Sequence, residues 1–130
     1  MDKRRVVITG LGAVTPFGIG VDKFWESLKA GKSGISTSES IDISKHVVKI
    51  SGEVKDFHPE EYMEPKVAKK MDRFIQFAMV AADEAIKDSK LDVEKEDPYR
   101  VGVIVSSAAG GFKTFEENHI RIIEKGPNKC

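Results

Sequence analysis

Glycines stand at positions 10, 12, 18 and 20, directly after the apolar run Val6-Val7-Ile8, with Pro16 between them. A glycine-rich turn behind a strand can cradle a phosphate, because backbone N–H groups converge there and no Cβ holds the ligand away. The spacing argues against that chemistry here. In a G-x-G-x-x-G fingerprint Gly10 and Gly12 fit, but Thr15 holds the third position. Pro16 then removes a backbone donor where a helix would begin. No acidic residue closes an evident second strand, and "GAVTPFGI" supplies neither the Lys nor the hydroxyl of a P-loop. Tight turning and close strand–helix packing is favoured over nucleotide binding, which stays as an alternative.

Other chemistry-bearing residues are few. Lys66, Lys69, Lys70 and Arg73 fall at i, i+3, i+4 and i+7, so a single helix would carry all four cations on one face. Such a run is either a solvated face or a docking surface for an acidic partner. His46, His58 and His119 share no metal-ligand spacing. One cysteine, Cys130, gives no intrachain disulfide and no metal cluster. The run "SSAAGG" at 106–111 lets backbone approach another surface closely.

These residues need elements to hold them. Residues 6–11 form an apolar segment broken only by Thr9 and β-branched at Val6, Val7, Ile8 and Thr9, which predicts a buried strand. Asp22 is placed to cap a helix over 23–30, with Gly31 at its end. Residues 31–40 read as a loop, and 47–57 as one or two short strands around Gly52. Pro59 and Pro65 frame a turn or short helix. The longest helix is expected over 66–89, where Val67, Met71, Phe74, Ala78, Ala81 and Ala85 recur at helical spacing. Residues 92–99 read as a loop, 101–105 as a second buried strand, and 112–125 as a last helix stopped by Gly126-Pro127. Two strand–glycine-turn–helix units joined by a long helix predict a layered α/β fold.

With 130 residues the chain has room for one domain with a modest core, or is a piece of something larger. Its 21 basic residues balance its 21 acidic ones, so no global charge draws it to nucleic acid or membrane. Apolar stretches are too short to span a bilayer, and "MDKRR" leads into no signal-peptide core. The lone cysteine suits a reducing, cytoplasmic setting.

The string "RRVVITGLGAVTPFG" closely resembles the opening of β-ketoacyl-acyl-carrier-protein synthases, above all the type II elongating enzymes. "FWESLKAGKSGI" (24–35), "KKMDRFIQFAMVAADEAI" (69–86), "VGVIVSSAAGGF" (101–112) and "FEENH" (115–119) follow in the family's order. The resemblance implies a thiolase-like α/β/α/β/α fold, of which residues 1–130 are the incomplete N-terminal portion. It implies an acyltransferase that condenses an acyl thioester with malonyl-carrier protein in fatty acid elongation, without a cofactor. The family's nucleophilic Cys sits in a T-A-C motif absent from this chain, and its catalytic His residues lie further on. The fragment alone is therefore expected to be inactive, and Cys130 is rejected as nucleophile and read as a truncation point. The resemblance also implies that Lys66, Lys69 and Lys70, with Arg73 on the same stripe, dock an acidic, phosphopantetheinylated acyl carrier protein. It implies a homodimer, with Ala109 beside the acyl pocket where relatives carry a bulkier apolar residue. A non-catalytic, chain-length-factor-like partner subunit is the alternative within the same family.

Overall fold

The computed structural model describes residues 3–129; Cys130 lies outside the described residues. The molecule is organised around one long helix. In chain order, strands β1 (Val14–Thr15) and β2 (Gly18–Ile19) precede helix α1 (Val21–Lys29). Strands β3 (Ser36–Thr37) and β4 (Ile50–Ser51) follow, then a 3₁₀ turn (Pro59–Glu61) and the single-turn helix α2 (Pro65–Ala68). Helix α3 (Arg73–Ser89) comes next, and α4 (Phe112–Lys125) closes the fold before a 3₁₀ turn (Pro127–Lys129).

Both strand pairs are antiparallel hairpins. Val14 faces Ile19 and Thr15 faces Gly18 across the Pro16-Phe17 turn. Gly18 takes a φ of 122°, a conformation that costs a residue without Cβ little. Thr15 closes the turn, its hydroxyl donating to Gly18 O and accepting from Phe17 N. In the second hairpin Ser36 faces Ser51 and Thr37 faces Ile50. A strand at 36–37 replaces the expected loop there, and within 47–57 only the Ile50–Ser51 strand forms.

That second hairpin is stapled by a carboxylate. Glu53 Oε1 accepts from the hydroxyls of Ser38, Ser40 and Ser51, and its Oε2 accepts from Glu39 N. Ser38 is the buried polar side chain of the group. Hydrogen bonds from Ser38, Ser40 and the Glu39 amide favour the charged form, and hold the Glu53 carboxyl well below its ordinary value of 4.5.

Helix α3 receives the glycine-rich segment. A Cβ on Gly12 would lie 1.8 Å from Ala81 O, and one on Gly10 2.2 Å from Ala85 O. Backbone thus lies directly on helix backbone, as the close-packing reading of these glycines requires. Two acidic side chains one turn apart on α3 secure it. Glu84 Oε2 accepts from Ala13 N at 2.9 Å and its Oε1 from Val21 N at 2.8 Å, while Asp88 accepts from Leu11 N at 2.9 Å. Val21 is the first residue of α1, so a distant glutamate satisfies one of that helix's open amides. This is why α1 starts at Val21 with Gly20 as its N-cap, and why Asp22 lies in its first turn without capping it.

The expected helix over 66–89 is broken. Helix α2 ends at Ala68, a turn follows, and helix resumes at Arg73, because Asp72 is extended (φ −62°, ψ 152°) and serves as N-cap of α3. The Asp72 carboxylate accepts from the Thr114 hydroxyl of α4. Gln76 reaches back from α3, its Nε2 donating to Ala68 O at 2.9 Å and Met71 O at 3.3 Å. Apolar periodicity survives the break, which is why the sequence reads as one helix.

The two expected buried strands do not form. Residues 6–11 and 101–105 carry no strand pairing, and Ile8 is 82% and Ile104 96% exposed. A strand needs a neighbour for its N–H and C=O groups, and the described residues supply none to either segment. The buried apolar core is correspondingly thin: Phe57, Ala68 and Val80.

Replacing Glu84 by Ala strands two backbone donors and should cost about 1–3 kcal/mol of stability. Glu84→Gln keeps one acceptor oxygen and should cost less. Thermal melting of the two variants beside the wild type measures the difference; equal melting temperatures would remove Glu84 from its bridging role.

Because the carboxyl of Glu53 is held low in the folded state, its contribution is complete above the ordinary carboxylate range. It is lost as pH falls below 4.5 toward the lowered folded value. The gap in melting temperature between wild type and Glu53→Gln should therefore be largest near neutral pH and close on acidification. A gap that stays constant from pH 7 to pH 3 would refute the staple.

Candidate functional site

Pro65 opens α2, its fixed φ suiting the first helical position and its missing N–H costing nothing there. One turn later the chain exits, with Lys69 as C-cap and Lys70 in the turn that follows. Lys66, Lys69 and Lys70 are exposed, and none of them takes part in an ion pair among the described residues. The three ammonium groups are thus free to face an incoming charge. Ala68, on the opposite side of the turn, is buried and anchors it. Lys69 borders a shallow depression of about 260 Å³ that Pro59, Glu60, Pro65, Ala68 and Gln76 also line.

Arg73 does not continue this set along one helical face. It is the first residue of α3, beyond the break, and its guanidinium, though on an exposed residue, is engaged by neighbouring groups. Nη2 donates to Val54 O at 2.7 Å, and Cζ lies 5.5 Å from the Phe57 ring and 5.1 Å from the Phe77 ring. Phe57 in turn meets Phe77 edge-on at 4.8 Å and stacks on Tyr62 at 5.8 Å. The four-cation stripe resolves into three free lysines and one clamped arginine.

The small residues at 106–111 form a turn pressed against the start of α3. A Cβ on Gly110 would stand 2.5 Å from the Phe74 ring. Gly111, with φ 79°, caps α4 and sits beside the Asp72 carboxylate. Ala109 is exposed, and the depression beside α2 does not include it.

Other sequence candidates are absorbed into structure. The amides of Leu11, Ala13 and Val21, which a phosphate loop would aim at a ligand, are taken by Asp88 and Glu84. This excludes the nucleotide-binding alternative at that turn. His58 lies 3.8 Å from Glu60, and His119 stacks on Phe115. Among the described residues no cluster of His, Cys, Asp and Glu could hold a metal ion. No described helix is long and apolar enough to cross a membrane.

Sequence reading missed Glu84, Gln76 and Glu53. A signal existed for the first: Glu84 and Asp88 are four apart on the helix that the glycine segment must approach. Gln76 and Glu53 bond across breaks and hairpins that no local pattern announces.

Residues 3–128 match the family model described as the N-terminal domain of beta-ketoacyl synthase. Proteins named 3-oxoacyl-[acyl-carrier-protein] synthase 2 are similar over nearly the whole chain. That of Vibrio cholerae is 44% identical over 129 residues, 99% of this chain and 31% of the relative. That of Synechocystis is 38% identical over 130 residues, 100% of this chain and 31% of the relative. The chain thus spans about a third of the length of these relatives. Among solved structures, one is a type II PKS acyl-carrier protein in complex with its ketosynthase bound to the hexaketide. It matches with a TM-score of 0.78 at 27% identity, over 98% of this chain and 33% of that one. The ishigamide ketosynthase/chain length factor matches with a TM-score of 0.65 at 32% identity, over 72% of this chain and 23% of that one.

Proposed function

The chain belongs to the β-ketoacyl synthase family, and from that premise we propose that it is the N-terminal portion of a 3-oxoacyl-[acyl-carrier-protein] synthase of fatty acid elongation. The observation that carries the reading is the match to such synthases along essentially the whole chain. In this reading a cysteine beyond residue 130 takes an acyl group as thioester. Malonyl-carrier protein then loses carbon dioxide, the resulting enolate attacks the thioester carbonyl, and the tetrahedral intermediate collapses by expelling the cysteine thiolate. Charge on the enolate and on the tetrahedral oxygen is met by positioned donors. This chain supplies part of the scaffold, with its share of the carrier-docking surface and of the acyl pocket. The whole enzyme is a cytoplasmic homodimer in the same reading.

Docking falls to Lys66, Lys69 and Lys70. Three unpaired ammonium groups on one short turn suit steering of an acidic carrier, whose attraction acts before contact. The similarity to a ketosynthase solved with its acyl-carrier protein supports a carrier protein as the partner. A second reading, a non-catalytic partner subunit, is favoured by the match to a ketosynthase/chain length factor. The two differ in whether a T-A-C elbow follows this chain.

The full-length protein, incubated with acyl- and malonyl-carrier protein, should release 3-oxoacyl-carrier protein. Failure to condense in the absence of such an elbow would select the partner subunit. Reversing Lys66, Lys69 and Lys70 to Glu should weaken carrier binding at low salt by about 1 kcal/mol per exposed contact. The effect should fade as salt rises, because exposed charges are screened. Binding titrations at two salt concentrations, with a melting curve as control, check it. Unchanged affinity at low salt would return the lysines to an ordinary solvated surface.

Ala109→Ile in the full-length enzyme should slow acylation by long primers and spare short ones. Added methylenes that intrude on occupied pocket volume cost about 1–3 kcal/mol. Acylation rates over a series of primer lengths read this. A uniform fall at all lengths would mark damage to the turn and remove Ala109 from chain-length selection.

A further inference from the structure

We infer that Arg73 is a positioning residue of the docking turn, not a docking cation: its clamp on the Val54 carbonyl and the Phe57 and Phe77 rings fixes where Lys66, Lys69 and Lys70 are presented. This rests on the carrier-docking reading above. A cation at the first position of a helix is electrostatically disfavoured, since the helix N-terminus is itself the positive end. Arg73 occupies that place on α3 nevertheless. Its charge is met from the other side, by a carbonyl 2.7 Å away and by two ring faces. Guanidinium is suited to this, because it is planar, stacks on aromatic faces and donates in a fixed fork.

The clamp has a geometric consequence. Val54 and Phe57 belong to the segment that runs from the Glu53 staple into the Pro59–Glu61 turn and α2. Arg73 therefore ties the start of α3 to the chain that enters the lysine-bearing turn. Gln76 ties the same helix to the chain that leaves α2, through Ala68 O and Met71 O. Lys66 lies between these two attachments, and Lys69 and Lys70 lie within the second, between Ala68 and Met71. Without the first, the turn keeps its charges but loses its fixed orientation, and a partner must order it on binding.

Two substitutions separate positioning from charge. Arg73→Lys keeps the cation and loses the planar stack; Arg73→Met keeps apolar cover over the rings and loses the cation. In the full-length protein both should weaken binding of an acidic acyl carrier protein about three- to tenfold. The steepness of the salt dependence should stay near that of wild type, since the docking lysines are intact. Lys69→Ala with Lys70→Ala should lower affinity and flatten the salt dependence. Hydrogen exchange read without any carrier should show faster exchange at residues 68–71 in both Arg73 variants. Wild-type affinity in Arg73→Lys, with loss and a flattened salt dependence in Arg73→Met, would make Arg73 a docking cation and overturn the inference. Unchanged exchange at 68–71 in both variants would overturn it too. If the lysine variants bind as wild type while exchange at 68–71 still rises, the carrier-docking reading fails and the positioning of the turn stands.

Discussion

The first hairpin and the start of α1 are held at both ends by one carboxylate. Glu84 projects from the middle of α3 and accepts an amide from each of two separate places, Ala13 before the first hairpin and Val21 at the start of α1. Ionised acceptors to backbone N–H groups make stronger hydrogen bonds than neutral ones. Glu84 thereby fixes both ends of the 13–21 loop and sets the residue at which α1 begins. Asp88 repeats the device one turn along, on Leu11. Close approach is a precondition, and Gly10 and Gly12 permit it by lacking the Cβ that would meet helix carbonyls. Glycines that follow an apolar run, as those of a phosphate loop do, are thus the complement of two acids, and the segment's amides bind the protein's own carboxylates where a nucleotide site would bind phosphate.

The same economy recurs at each place where the chain changes direction. Glu53 gathers Ser38, Ser40, Ser51 and the Glu39 amide to hold a hairpin whose paired strands are two residues long. Asp72 caps α3 through its backbone and meets Thr114 of α4 through its side chain. Gln76 and Arg73 brace the turn before α3. With Phe57, Ala68 and Val80 as the buried apolar residues, polar contacts specify geometry that a larger core would otherwise impose.

What the sequence made legible follows from the range of each signal. Helix α4 lies at 112–125 as its pattern predicts, because the αL glycine at 111 and the Gly126-Pro127 stop are local. The break between α2 and α3 was hidden, because periodicity measures which face is apolar and not whether the backbone is continuous. Val67, Met71 and Phe74 keep helical spacing across residues that are not helical. That hidden break also hid the division of the four cations, since a shared face presumes an unbroken helix. Residues 6–11 and 101–105 have the composition of buried strands, and composition reports the environment a segment is suited to. Pairing partners are a separate requirement, and neither segment has them among the described residues.

In the carrier-docking reading, the contrast between the three lysines and Arg73 is one of anchoring: an exposed cation held by a carbonyl and two rings stands beside three that are not held. A charge attracts over a Debye length, about 8–10 Å at ordinary salt, without regard to its own orientation. Docking to a defined point on a partner needs more, because each flexible ammonium ordered on contact costs conformational entropy. A turn held on both sides lowers that cost by fixing the backbone from which the side chains start. Arg73 meets a carbonyl and two rings, whereas Lys66, Lys69 and Lys70 have no ion-pair partner among the described residues; in the docking reading the first would supply rigidity and the others field. Equal formal charges thus act differently because of what each touches.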